Sequence, residues 1–228
     1  MNEKIVLSQD ERLDDLLYKD MHIIQNKKLY TFTSDAVLLA NFIKAKKTDK
    51  VVDLCSGSGV VGILFYAKNE CDMTLVELQE QMYIMSQKSL ALNNIQDKVK
   101  IYNCSVQDSY KLLGQEKFDI VLCNPPYKKP QNHNVTDAKE IAMCKYELML
   151  TFDELCASAS KLLRFGGKFV FVHDTSRLAE IIETLKNYHL EPKKIEFCFP
   201  KNKQESNVVL IEAVKGGKEG CRVTKTSN

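Results

Sequence analysis

A chain of 228 residues, 44% of them hydrophobic, can bury a full core as one α/β domain and leaves little room for two independent ones. A charged fraction of 27% and a net charge of +2 mean that bulk charge gives no reason to invoke a nucleic-acid partner; any such case rests on where the charges sit. The eight cysteines include no CxxC pair, the four histidines form no HExxH or HxH pattern, and no apolar run approaches ~18 residues. The expectation is therefore a cytoplasmic protein with reduced thiols, no disulfide framework, no metal, no signal peptide and no membrane span.

Residues 1–47 read as a lead-in. Asp10 to Asn26 supplies strand and turn pieces, and Asp35 is placed to cap a helix carrying Val37, Leu38, Ala40, Phe42 and Ile43. From Lys50 the pattern alternates. A strand over Lys50 to Leu54 leads into a Gly-rich turn and helix over Gly57 to Lys68, followed by a strand over Met73 to Val76. Gln79 to Asn93 is a helix with Met82, Met85, Ser86, Ser89 and Leu90 at helical spacing, and Val99 to Tyr102 is a third strand. Phe118 to Cys123 is a buried strand ended by two prolines, with a polar loop from Lys128 to about Lys139 beyond it. Leu148, Phe152, Leu155, Ala159 and Leu162 trace a helix expected to stop at Gly166-Gly167, before a strand over Phe169 to Val172. A helix through Leu178, Ile181, Ile182 and Leu185 is closed by Pro192. Ile195 to Phe199 and Val208 to Ala213 then form two strands joined by the basic loop Pro200 to Lys203, and this finish, which breaks the alternation, predicts an antiparallel pair. Residues 215–228 read as a basic, loosely ordered tail.

Gly57-Ser58-Gly59-Val60-Val61-Gly62 matches GxGxxG between a strand and a helix, and Glu77 lies twenty residues past Gly57. That spacing fits a dinucleotide site. Asp53 argues against one, because a carboxylate at the strand end repels a pyrophosphate aimed at the helix N-terminus. It suits S-adenosylmethionine, whose methionine end carries an ammonium and whose reactive centre is a sulfonium. Glu77 can then accept both ribose hydroxyls, and Asp53 can attract the ammonium directly or through water.

Asn124-Pro125-Pro126-Tyr127 stands at the end of the Phe118 strand. An exocyclic amine is a poor nucleophile because its lone pair is delocalised. The Asn124 side-chain oxygen and the Pro125 carbonyl can each take one N–H and turn the lone pair toward a methyl group, while Tyr127 stacks on the planar group and Pro126 helps keep the loop stiff. A turn that merely ends a strand would carry the same prolines; its place after a Gly-rich turn and an acidic strand end favours chemistry.

The order of these motifs resembles class I S-adenosylmethionine-dependent methyltransferases that use an Asn-Pro-Pro-aromatic loop. Asp10 to Leu16, Ile24-Gln25-Asn26, Ser34 to Ala40, Leu210 to Ala213 and Lys215 to Lys218 resemble the bacterial tRNA1(Val) adenine-N6 methyltransferase family. The resemblance implies a Rossmann-like, mostly parallel seven-stranded sheet with its last strand antiparallel and helices on both faces. It implies S-adenosyl-L-methionine as cofactor, held by Asp53, Gly57, Gly59, Glu77, Ser105, Val106 and Asn124, with Asn124 to Tyr127 catalytic. Three positions depart from the pattern: Thr31 where Arg is frequent, Ser105 where an acidic residue is common, and Lys145-Tyr146-Glu147 in place of Arg-His-Glu.

The loop chemistry leaves the acceptor open among adenine N6, guanine N2 of ribosomal RNA and the amide of a protein glutamine. From Glu191 onward eight Lys/Arg stand against five Asp/Glu, and Lys128, Lys129 and Lys145 surround the loop, which together with Lys201 and Lys203 favours RNA, tRNA first. A non-catalytic RNA-binding module is disfavoured because all the reactive groups are present. No obligate protein partner is implied.

Overall fold

Apolar runs and helical stripes alternate along the chain, and the computed structural model, which describes residues 6–29, 31–129, 142, 147–201 and 204–227, folds them into two sheets. The smaller is an antiparallel hairpin of β1 (Glu11–Asp15) and β2 (His22–Asn26). After α1 (Ser34–Phe42) come β3 (Lys50–Leu54), α2 (Val60–Asn69), β4 (Asp72–Glu77), α3 (Glu80–Leu92) and β5 (Val99–Asn103). Then follow α4 (Val106–Leu113), β6 (Phe118–Cys123), α5 (Phe152–Leu162), β7 (Leu163–Asp174), a short 3-10 turn at Thr175–Arg177 and α6 (Leu178–Asn187). The described chain finishes with β8 (Leu190–Phe199), β9 (Val208–Lys215) and β10 (Arg222–Ser227).

The larger sheet has the order β10-β8-β9-β7-β6-β3-β4-β5, and β9 runs antiparallel to both of its neighbours while the remaining pairs are parallel. Its strands are apolar at successive positions because both faces are covered. Val51, Met73, Leu75, Ile120, Leu122, Val170 and Val172 pack with α1 and α2. The alternate residues Val52, Leu54, Val76, Val121, Cys123, Phe169 and Phe171 pack with α5 and α6. The hairpin is tied to α3: Ile24 joins Met82 and Met85, the Ser89 hydroxyl accepts the Ile24 N–H at 3.0 Å, and Lys88 pairs with Glu11 at 2.8 Å.

Four expectations need correction. The sheet has eight strands rather than seven, because residues 222–227 of the expected tail pair along β8 from Arg222↔Lys194 to Ser227↔Phe199. That strand is held by backbone bonds and a Thr224–Glu196 side-chain bond, with Val223 61% exposed, so it lacks the apolar signature that marks the others. α5 ends at Leu162 and β7 starts at once, with Gly166 and Gly167 inside the strand; a Cβ on Gly167 would meet the Arg164 carbonyl at 2.9 Å, so the glycine serves a tight bend. α4 was not foreseen: its inner face, Val106 and Ser109 with the partly buried Tyr110 and Leu113, spans only two turns and includes a serine and a tyrosine among its contacts. Asp35 is not the cap of α1; it lies inside the first turn, after Thr33, and its carboxylate serves another purpose.

β3 lies between β4 and β6, so the chain winds to one side through β4 and β5 and then returns to build β6 and β7 on the other. A crevice at the carboxyl ends of β3 and β6 follows from that reversal.

Candidate active site

The loop from β3 to α2 turns through left-handed residues at Cys55 (φ +56°), Gly57 (+56°) and Gly59 (+92°). Gly59 is required twice over, by its φ and because a Cβ there would lie 2.6 Å from the Ser86 hydroxyl. Gly62 lets α2 approach β4, since its Cβ would fall 2.1 Å from a Leu75 methyl. Its N–H donates to Asp53 Oδ2 at 3.0 Å. Asp53 is otherwise stranded: it is 1% exposed, and its Oδ1, like the nearby Ser56 hydroxyl, has no hydrogen-bond partner among the described residues. Burial pushes the Asp53 carboxyl well above the usual range and the Glu77 charge adds to this, against the pull of the Gly62 N–H.

Glu77, at the end of β4, is buried and oriented by backbone. Its two oxygens accept the N–H of Gly57 and of Gln79, each at 2.7 Å. A carboxylate oxygen so engaged keeps further lone pairs for a ligand. Its pKa is raised by burial, with these amides opposing.

Glu77 borders a cleft of about 930 Å³, counted out into the solvent at its mouth, and Asp53 lies buried behind it. Glu77, Ser56 and Gly57 form one wall, Val106 and Gln107 the start of α4, and Asn124 and Pro126 the opposite wall, with Phe32, Met82 and Met149 around them. Pro125 is buried and Tyr127 partly so. The Tyr127 phenol donates to Asp35 Oδ2 at 3.0 Å, its carbonyl accepts from Arg177 Nη1 at 3.1 Å, and its ring stands 5.7 Å from the His173 ring. His173 is fully buried among Phe152, Phe171 and Tyr127, and desolvation lowers its pKa to about 4, so the imidazole is neutral.

Of the residues singled out from sequence, Gly57, Glu77, Val106, Asn124 and Pro126 line this cleft, Gly59 lies within the loop that shapes it, and Asp53 lies near the end of β3, bonded to the start of α2. Ser105 is committed elsewhere: its hydroxyl caps α4, accepting the Asp108 N–H at 3.1 Å and donating to Asp108 Oδ2 at 2.8 Å. Lys128 and Lys129 are exposed beyond Tyr127, with Lys129 paired to Glu180 at 2.8 Å, and Lys201 sits exposed in the β8–β9 turn. Lys145 and Lys203 lie outside the described residues. Sequence reasoning missed Gln25 and Arg177. Gln25 is fully buried, donates to the Ser58 hydroxyl at 2.9 Å and accepts the Phe32 N–H at 3.2 Å, so the hairpin fixes both the Gly-rich loop and the segment before α1. A polar residue directly after Ile23-Ile24 in a strand was the available signal.

A strand-ending carboxylate facing a Gly-rich turn, with an amide-bearing proline loop across the switch point, matches a known family pattern. Residues 32–197 match the model of the methyltransferase small domain family. The chain belongs to that family. The match covers the sheet from α1 into β8 and omits the hairpin, β9 and β10. Similar curated proteins are the tRNA1(Val) (adenine(37)-N6)-methyltransferases of Dyadobacter fermentans, 23% identical with 78% of this chain and 77% of that one covered, and of a Shewanella species, 26% identical with 85% and 82% covered. Among solved structures, a predicted O-methyltransferase from Agrobacterium tumefaciens superposes with a TM-score of 0.66 at 22% identity, covering 85% of each chain. The geranyl diphosphate C-methyltransferase of Streptomyces coelicolor, in complex with S-adenosyl-L-homocysteine, gives 0.59 at 14% identity, covering 80% of this chain and 77% of that one. The methyltransferase therefore has the family's Rossmann-like sheet. Among its described residues no helix is long and apolar enough to cross a membrane.

Proposed function

We propose that the methyltransferase moves a methyl group from S-adenosyl-L-methionine to the N6 amine of an adenine in tRNA, and that Asn124 to Tyr127 carry the reaction. The observation that supports this reading is the placement of Asn124 and Pro126 across one cleft from Glu77 and Gly57.

The residues fit the cofactor. Two buried polar atoms without partners among the described residues, Asp53 Oδ1 near the end of β3 and the Ser56 hydroxyl in the loop that follows, lie at the cofactor side of the cleft, and Gly57 has no described atom beyond its chain neighbours within 4 Å of where a Cβ would stand. Glu77, fixed by two backbone amides, takes the ribose hydroxyls, and Val106 and Gln107 border the space for the adenine ring. Asp53 favours a positively charged group above it, because such a charge relieves the penalty that burial puts on its own ionisation. Asp53, Gly57, Gly59, Glu77, Ser105, Val106 and Asn124 remain the cofactor set, Ser105 acting through the cap it gives α4 and not through a free hydroxyl. When bound, the cofactor supplies an electrophilic methyl on a sulfonium.

Asn124 and the Pro125 carbonyl accept the two N–H bonds of the incoming amine and aim its lone pair into the cleft. Tyr127, held at its phenol and at its carbonyl, gives the base a fixed planar partner. Strong base is unnecessary, since the alkylated nitrogen loses its proton readily. Lys128, Lys129, Lys145, Lys201 and Lys203 are assigned to RNA phosphates. The Lys129–Glu180 pair is exposed and worth about 0–1 kcal/mol, so a phosphate can compete with it. The names of the curated relatives, which give adenine 37 of tRNA1(Val), support a tRNA adenine as acceptor, and we assign it to the anticodon loop.

Incubating the protein with methyl-labelled cofactor and separate pools of tRNA, ribosomal RNA and a release factor tests this reading. Label in tRNA is expected; label confined to the protein pool would assign the loop to a glutamine amide instead.

A further inference from the structure

Arg177 follows the carboxyl end of β7, beside the strand that delivers the catalytic loop, and lies outside every motif. Its side chain is only 10% exposed, yet it does not line the cleft. One side of its guanidinium is anchored to the first turn of α6, where Nε and Nη2 donate to the two oxygens of Glu180 at 3.2 and 2.7 Å. The remaining nitrogen, Nη1, donates to the Tyr127 carbonyl at 3.1 Å and to Glu147 Oε1 at 2.6 Å. The Glu147 side chain is only 8% exposed, and its N–H donates to the Lys128 carbonyl at 2.9 Å. Arg177 thus ties together the chain leaving β6 at Tyr127 and the chain returning at Glu147. With Asp35 holding the phenol, Tyr127 is fixed at its backbone and at its ring tip by two elements distant in sequence.

We infer that Arg177 is a positioning residue for methyl transfer: it sets where Asn124 to Tyr127 present the acceptor, without touching acceptor or cofactor. The inference rests on the reading that this loop holds the acceptor amine, whatever polymer carries that amine. A planar fork is needed, because three carboxylate or carbonyl groups must be met in fixed directions from one side chain. A lysine ammonium keeps the charge but supplies one point instead of a fork.

The test compares wild type with Arg177→Lys, Arg177→Ala and the charge-neutral pair Arg177→Met/Glu147→Gln. The double variant avoids an unpaired buried charge and keeps the test open should the single variants fold poorly. For each, kcat, the KM for acceptor, the dissociation constant for S-adenosyl-L-homocysteine and the melting temperature are measured. The expected result is a fall in kcat of roughly 10- to 100-fold, the scale of an acceptor misplaced by about an ångström, with product affinity within about two-fold of wild type. Arg177→Lys stays impaired, and free guanidinium restores part of the kcat of Arg177→Ala. A folded double variant with wild-type kcat, or activity that falls only in step with melting temperature and product affinity and is not rescued by guanidinium, overturns the inference. Should wild type label a protein glutamine and not tRNA, the same kcat split is read on that acceptor, so the tRNA assignment and the role of Arg177 fail separately.

Discussion

The β3–β4 wall of the cleft and the β6–β7 wall are held by different means. On the first, backbone does the shaping: left-handed glycines, amides donated to Glu77 and Asp53, and a helix drawn close by Gly62, all within a short stretch of chain. On the second, side chains from far along the sequence, Asp35, Arg177 and His173, surround Tyr127, while the loop itself contributes little more than two prolines and its own carbonyls. The first wall is a local motif, closed to added atoms at Gly59 and Gly62; the second is an assembly, and its precision depends on the whole fold.

Breaking the second wall at its reactive group gives the largest effect. Asn124→Ala should lower turnover by roughly 10²- to 10³-fold, the cost of removing one preorganised polar group, with a far smaller loss of cofactor affinity by titration. His173, beneath the same loop, gives a pH signature. Its pKa falls from 6.5 in the unfolded chain to about 4 in the fold, so below pH 6.5 the unfolded state takes a proton that the folded state refuses. Stability is therefore present above about 6.5 and drains as pH falls toward about 4, by on the order of 3 kcal/mol, and chemical denaturation of His173→Asn across that window should show a flatter profile.

On the first wall, Gly59→Ala should cost about 1–3 kcal/mol in thermal unfolding, because the added methyl meets Ser86, whereas Gly57→Ala, with open space around it, should show only the backbone strain of about 1–2 kcal/mol. Asp53→Asn sharpens the electrostatic side of the contrast. Asp53 has a folded pKa above its ordinary 3.8, so as pH rises past that value the unfolded state ionises first and the cofactor-free fold loses stability; the Asn variant should lack this slope. The same variant should lose much of the melting-temperature gain that the cofactor gives wild type. Lys201→Ala should have the smallest effect: a modest rise in KM for RNA and a log affinity against log salt slope shallower by about 1, with kcat unchanged.

This contrast also decides what could be read from sequence. Strand and helix positions from Lys50 to Asn93 were legible because apolar residues repeat there with clear periods, and the Gly-rich turn with Asp53 and Glu77 was legible because its geometry is encoded in adjacent residues. β10 was not, since Arg222 to Ser227 joins the sheet by backbone pairing along β8 and not by burying apolar surface. α4 escaped because its inner face is short and mixed, Val106, Ser109, Tyr110 and Leu113 over two turns. The cap that Ser105 gives α4 is visible only in the structure, where its hydroxyl accepts the Asp108 N–H. Asp35 is the instructive case: its position at a helix start suggested a cap, and only the tertiary fold shows that its carboxylate reaches Tyr127, ninety-two residues away. Arg177 and Gln25 likewise act over distances that no motif spans.

The claim on which the rest depends is that the loop at Asn124 delivers an adenine amine to the cofactor side of the cleft. Nucleoside mass mapping of tRNA after reaction with wild type and with Asn124→Ala tests it most directly. N6-methyladenine at a single anticodon-loop position with wild type, and its absence with the variant, is the outcome expected here. Methylation at another atom or nucleotide, or an undiminished yield from Asn124→Ala, would contradict it.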